Sequence, residues 1–157
     1  MTTTAAAPRF RPLDADDRDV ALALMRAYYA EDGHRFDPDL AAEALNQIAA
    51  GTAAARFWLI EQDAHAAGYL CITLGFSLEV GGGDFFLDEI YITPEARGGG
   101  LGHTALAFAE QQAAALGAHR ICLEVERHND RARALYERSG YRSHARHLMS
   151  KPLTPRR

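Results

Sequence analysis

The chain has 157 residues, of which 48% are hydrophobic and 24% charged, with a formal net charge of -4 at pH 7. That length and apolar content suit one domain with its own core and exclude both a disordered chain and two full domains. The negative balance, with no basic run before the short Arg156–Arg157 end, excludes a general electrostatic affinity for nucleic acid. The opening MTTTAAAPRF has no basic region followed by an apolar core, and no apolar run is long enough to span a bilayer. A cytoplasmic protein with no membrane partner is therefore expected. Cys71 and Cys122 match neither a zinc spacing nor a disulfide framework, and the scattered histidines show no metal spacing, so no metal is expected.

After a short extended piece, RFRPL, Asp16 is placed to cap a helix running to about Glu31, with Val20, Ala23, Leu24, Ala27 and Tyr28 at helical spacing. The link DGHRFDP leads to a second helix, DLAAEALNQIAAG, with Leu45 and Ile48 inward and Gly51 as its stop. ARFWLIEQ and AAGYLCITLGF are β-rich runs flanking the turn-like DAHA, which predicts an antiparallel hairpin. SLEVGGGD breaks the pattern, and FFLDEIYITP follows as a third strand closed by Pro94. The spacing predicts a helix from Gly99 to Leu116, with Leu101, Ala105 and Phe108 on one face and Gly117 terminating it. RICLEVE is another strand. NDRARALYERSG is a short helix capped by Asn129 or Asp130, and YRSHARHLMSKPL supplies one or two final strands.

Between the third strand and its helix lies EARGGGLGHT. Glycine is costly to order, so four in five positions need a reason: a turn with left-handed backbone angles, or a loop whose bare amides approach a phosphate. A nucleoside triphosphate loop is excluded, since no lysine stands nearby. Gly100, Gly102 and Ala105 satisfy the dinucleotide pattern G-x-G-x-x-A, but Thr93 to Arg97 intervene after the strand and a hairpin comes first, both foreign to that fold.

The stretch ITPEARGGGLG resembles the acetyl-CoA signature of the GNAT N-acetyltransferases, R/Q-x-x-G-x-G/A, with Arg97, Gly100 and Gly102 on the defining positions. LDEIYI before it and LEVERHNDRARALYERSGYR after it are similar to that superfamily's central strand and to its strand, asparagine, helix and tyrosine unit. The resemblance covers nearly the whole chain. More narrowly, YYAEDGH with GFSLEVGG looks like bacterial members of unassigned substrate. It implies an α+β fold: a single acyl-CoA N-acyltransferase domain over residues 1–157, with a central, mostly antiparallel sheet flanked by helices.

The resemblance further implies an enzyme that moves an acetyl group from acetyl-CoA to a primary amine by direct transfer in a ternary complex. The amides of Arg97, Gly98, Gly99, Gly100, Leu101, Gly102 and His103 would cradle the pyrophosphate. The pantetheine arm would pair with Ile90, Tyr91 and Ile92, the Ile90 amide would hold the oxyanion, and Asn129 would bond the arm, cap its helix, or both. Tyr136 matches the tyrosine that protonates the departing thiolate. The base is Asp88 or Glu89: alternation along a regular strand sends these neighbours to opposite faces, a bulge exchanges them, and Asp88 aligns better. Glu31, Asp32, Glu79 and Asp84 fall in segments that border the acceptor site in this fold, and their common sign suggests a cationic acceptor. Tyr28, Tyr29 and His34 are further candidates to line it. The alternative is a non-catalytic acyl-CoA-binding module on the same scaffold, and a homodimer is a family-level expectation.

Overall fold

A computed structural model describes residues 6–154. The first five residues and residues 155–157, with the Arg156–Arg157 pair, lie outside the described residues. The described residues form two compact units, one up to Glu124 and one from Val125.

The larger unit begins with strand β1 (Arg9–Pro12) and helix α1 (Arg18–Asp32). A single turn of tighter helix, Ala15–Asp17, precedes α1, and its cap is Asp14 rather than the expected Asp16. The Asp14 carboxylate accepts from the Asp16 N–H at 3.1 Å, and the Asp17 carboxylate accepts from the Asp14 N–H at 2.8 Å. This reciprocal pairing satisfies donors that no helical carbonyl reaches. Asp17 also takes two hydrogen bonds from the Arg11 guanidinium, which holds its carboxyl below the ordinary range. The buried stripe of α1 is Ala21, Leu24 and Met25, while Val20, Ala23 and Ala27 face outward. So many alanines let two adjacent stripes read alike, and the larger Met25 decides the phase. Helix α2 (Pro38–Ala49) starts where the Asp37 carboxylate accepts from the Asp39 and Leu40 amides.

Strands β2 (Ala55–Gln62) and β3 (His65–Thr73) form the expected hairpin, turning on Asp63 and Ala64, both at positive φ. Strand β4 is only Phe76–Ser77, and β5 runs from Gly82 to Ile92. Of the glycines read as a break, Gly82 and Gly83 thus belong to the strand, and Gly81 precedes it at a φ of +70°. A Cβ on Gly82 would stand 2.5 Å from the His119 ring and one on Gly83 2.8 Å from the Gly117 carbonyl, so the chain approaches here as closely as backbone permits. Helix α3 (Leu101–Ala115) and strand β6 (Ala118–Leu123) complete the unit. The sheet order is β1-β2-β3-β5-β4, all antiparallel, with β6 added parallel to β5. A mostly antiparallel sheet flanked by helices is the α+β architecture expected from the sequence.

Both faces of the sheet are covered, which is why β2 and β3 read as continuous apolar runs. Phe57, Leu59, Tyr69, Cys71 and Tyr91 pack with α1 and α2. On the other face Phe108 of α3 stacks on Phe10 at 4.1 Å between centroids and meets the Trp58 edge at 5.5 Å.

In the smaller unit, helix α4 (Asp130–Arg138) is capped by Asn129, whose side chain accepts from the Ala132 N–H at 3.1 Å. Tyr136 is buried, with its ring 5.9 Å from that of Tyr141. The expected final strands are absent from the described residues: 141–154 form no ladder, and Leu148, Met149 and Leu153 are exposed. Polar and basic residues interrupt any alternation there, leaving no apolar face to bury. Among the described residues no helix is long and apolar enough to cross a membrane.

Candidate active site

Strand β5 carries the site because its two edges are treated differently along its length. It pairs with β3 from Phe86 to Ile92, but with β6 only from Gly83 to Leu87. Beyond Leu87 the edge that β6 occupied has no strand within this unit. The Thr93 N–H donates to the Ala67 carbonyl on β3, so alternation turns the N–H and C=O groups of Ile90 and Ile92 to that open edge. The Arg97 Nε donates to the Ile92 carbonyl at 2.9 Å, in agreement with this orientation.

The β3–β5 register slips where the edge opens. Cys71 faces Glu89 and Ile72 faces Leu87, so Asp88 is the extra residue of a bulge. Alternation would have sent Asp88 and Glu89 to opposite faces, and the bulge cancels that. Glu89 joins Tyr69 and Tyr91 on the α1 and α2 side, and Asp88 lines a groove on the same side with Cys71 and residues of α2.

The two carboxylates do different things there. Glu89 accepts from Tyr29 of α1 at 2.6 Å and from Tyr69 of β3 at 2.8 Å, one phenol on each oxygen. Burial raises its pKa, the two phenols work against the rise, and Asp88 adds to it. Both phenols are themselves pushed up, chiefly by burial and also by the Glu89 charge, so they remain protonated donors. Asp88 is exposed to the groove, and surrounding protein still raises its carboxyl above the ordinary value. It has no ion-pair partner among the described residues, so it is the carboxylate left open to an incoming group. Tyr69→Phe is expected to cost about 2 kcal/mol at neutral pH, since it strips one charge-assisted bond from a buried carboxylate. Both carboxyls have raised folded pKa values, so their ionised forms oppose folding at high pH and the opposition fades as pH falls through those values. The Tyr69→Phe deficit should therefore shrink in acid; urea titrations at several pH values would show a constant deficit if Glu89 were not its origin.

After β5, a short turn over Pro94–Ala96 leads to the glycine loop. Gly98 and Gly100 have φ of +89° and +83°, where a side chain is strained. Gly99 has no positive φ, and a Cβ there would meet nothing within 4 Å. Gly100 caps α3 with no side-chain hydrogen bond, and the first turn holds no acidic residue. The leading amides of α3 thus have neither helical carbonyls nor a carboxylate. Arg97 differs from the expectation that its amide joins a cradle, because that N–H donates to the Pro94 carbonyl at 3.3 Å. Its guanidinium donates to Glu31 at 2.8 Å and lies 5.7 Å from the Tyr91 ring centroid. Arg97 therefore ties the loop to the end of α1, and the amides available to an anion begin at Gly98.

The model of the acetyltransferase (GNAT) family matches residues 19–141. The chain belongs to the GNAT acetyltransferase family. Among curated relatives, it is 39% identical over 57 residues to an uncharacterized N-acetyltransferase, YhfO, of Bacillus subtilis strain 168, covering 36% of this chain and 38% of that protein. It is 35% identical over 86 residues to a putative ribosomal protein bS18-alanine N-acetyltransferase of the same organism, covering 55% of this chain and 53% of that one. The matches thus span about half the length of these relatives or less. Among solved structures, an integron cassette protein from the mobile metagenome of Cole Harbour Salt Marsh superposes with a TM-score of 0.81 at 32% identity, over 94% of this chain and 91% of that one.

Of the GNAT residues expected from the sequence, Asp88, Glu89, Ile90, Tyr91, Ile92 and the loop from Arg97 to His103 are contiguous in β5, its turn and the start of α3. Glu31 joins them through Arg97, and Asp32 is the last residue of α1. Glu79 and Asp84 do not. Both pair with Arg120, at 3.5 and 2.8 Å, at the far end of β5, about 13 Å of strand from Asp88 at the usual rise. Asn129 and Tyr136 belong to the smaller unit. Sequence reasoning missed Tyr69 as a partner of Glu89 and missed α2 as a wall of the site. Nothing local marks either, because both follow from sheet register.

Proposed function

We propose that the chain is an acetyl-CoA-dependent N-acetyltransferase acting on a primary amine by direct transfer, and that both units belong to one such domain. The family match running continuously from residue 19 to 141, across Glu124, supports the single domain. The observation that carries the activity is the bulge: it turns Asp88, which has no ion-pair partner among the described residues, to the α2 side of the sheet at the point where the sheet opens.

Acetyl-CoA, as substrate, supplies an acyl carbon joined to a good leaving group. The amides from Gly98 to His103 hold its pyrophosphate by free N–H groups and the partial positive charge of the α3 start. The open edge at Ile90 and Ile92 pairs with its amide-bearing arm as an added strand, and Asn129 bonds the same arm. Asp88 takes a proton from the acceptor amine, the nitrogen attacks the acyl carbon, and the Ile90 N–H donates to the acyl oxygen as it gains charge. As the carbon–sulfur bond breaks, the nitrogen releases its second proton to solvent and Tyr136 donates its phenolic proton to the sulfur, yielding amide and free thiol. Cys71 beside Asp88 does not carry the acyl group. Burial and both carboxylates push its thiol up to about 12, so it stays protonated and weakly nucleophilic, which favours direct transfer.

Thiol release from acetyl-CoA against a panel of amines and short peptides tests this reading. Acceptor-dependent release is expected; acetyl-CoA binding without release for any amine would leave only a binding module. For Tyr136→Phe we expect kcat to fall about 10²-fold while the KM for acetyl-CoA holds, as for loss of a general acid outside the binding contacts. An unchanged kcat would remove Tyr136 from the reaction.

A further inference from the structure

Asp88 lies in an open groove of about 400 Å³ between α2 and the sheet, within the larger unit. The α2 wall presents Leu40, Glu43, Ala44, Gln47 and Ile48, which recur at three- and four-residue spacing and so share one helical face. The opposite wall is made of small side chains, with Ala55 and Cys71 leading to Asp88. The volume lies at the lower end of small-molecule sites. Small residues on one wall and Ala44 and Ile48 on the other suit an unbranched alkyl chain rather than a ring or a folded polypeptide. Two carboxylates stand in this lining on different walls, Asp88 from the bulge and Glu43 from α2. Neither has a cationic partner among the described residues, whereas Glu31, Glu61, Asp17 and Asp84 all pair with arginine. Gln47 stands one turn from Glu43 on the same face and offers a further acceptor oxygen.

We propose that this groove receives the acceptor, and that the acceptor is a linear alkyl amine with a second cationic nitrogen: one amine at Asp88, the alkyl stem between the walls, the second cation at Glu43. The proposal rests on the acetyltransferase reading above and adds the substrate class to it. It also relocates the origin of cation selectivity, from the arginine-paired Glu31 and Glu79 to an unpaired residue of α2. Glu43 is a specificity residue here, since it meets the end of the acceptor that does not react.

The test is calorimetry with 1,5-diaminopentane and 1-aminopentane, which share a stem and differ by one charge, titrated into the CoA-saturated protein. The wild type should bind the diamine about tenfold tighter, a difference equivalent to 1.4 kcal/mol. In Glu43→Gln, whose side chain is exposed and makes no ion pair among the described residues, the preference should fall to within about twofold while monoamine affinity is unchanged, as for loss of one charge contact. The same split should appear in KM with kcat retained. Equal binding of the two amines by the wild type, or a preference that survives Glu43→Gln, would overturn the proposal. Thiol release with monoamines and diamines at equal KM would overturn it while leaving the enzyme intact. Failure of the protein to bind acetyl-CoA would overturn the acetyltransferase reading and this proposal with it.

Discussion

Asp88→Asn is expected to lower kcat by about 10²–10³-fold near neutral pH, the usual worth of a positioned general base. A primary alkyl amine with pKa about 10.4 arrives protonated, and its nitrogen has no lone pair to offer until something takes the proton. Asp88 is exposed to the groove and has no ion-pair partner, and burial raises its pKa, so it is a stronger base than a solvated carboxylate. Glu89 is fitted for a different task, because each of its oxygens already accepts from a phenol. The pH dependence separates the two. In the wild type the rate should fall as acid protonates Asp88, with an apparent pKa above that of an ordinary aspartate. Asp88→Asn should lose this limb and climb steadily with pH as the free amine fraction grows. Stability moves the other way. The folded-state pKa is raised, so ionised Asp88 opposes folding above that value, and the neutral amide should match or exceed wild-type Tm there. A rate loss with no loss of Tm is the signature of a base. A flat pH response with kcat unchanged would pass the role to Glu89 or to solvent.

The sequence made the glycine loop and its flanking strand legible because both have one-dimensional signatures. Strand, loop and helix follow each other without interruption, and Gly98 and Gly100 take the left-handed angles that glycine runs advertise. The helix caps were legible to within a turn, and Asp14 rather than Asp16 was decided by Arg11 and Asp17, side chains whose meeting requires β1 to be in place. The start of β5 was not legible at all. Three glycines resemble a break in any single-chain reading: Gly81 takes a φ of +70° just before the strand, and only the approach of His119 and of the Gly117 carbonyl explains Gly82 and Gly83.

The chemistry of Asp88 and Glu89 was legible in kind and not in placement. Period-two alternation is the right default, and nothing in LDEIYI announces an extra residue. The bulge sits where β5 passes from one pairing to the other, parallel to β6 over Gly83–Leu87 and antiparallel to β3 over Phe86–Ile92. One inserted residue lets Leu87 share a face with Ile72 while Glu89 reaches Tyr29 and Tyr69. The acidic loop residues illustrate the converse. Their sign was plain in the sequence, but Arg97 and Arg120, sixty-six residues from Glu31 and thirty-six from Asp84, neutralise them in space.

Gly100→Val should raise the KM for acetyl-CoA by about 100-fold or more, and the loop's geometry says why it exceeds its neighbours in importance. At φ of +83° a β-branched residue is strained by roughly 1–2 kcal/mol, and the relaxed backbone would no longer start α3 at Leu101. The amides of Leu101, Gly102 and His103 would then turn away from a common point, and the pyrophosphate would lose several donors together. Leu101 is buried, so the helix itself stays anchored and the damage should be confined to its first turn. Gly99→Ala is the matched control. It needs no positive φ and its Cβ enters open space, so stability should be unchanged. If its acetyl-CoA affinity also holds, the run of glycines serves the backbone angles at Gly98 and Gly100. A loss of affinity in Gly99→Ala with unchanged Tm would show instead that bare backbone is needed for the phosphate to approach. Retained affinity in a folded Gly100→Val protein would take the loop out of the cofactor site altogether.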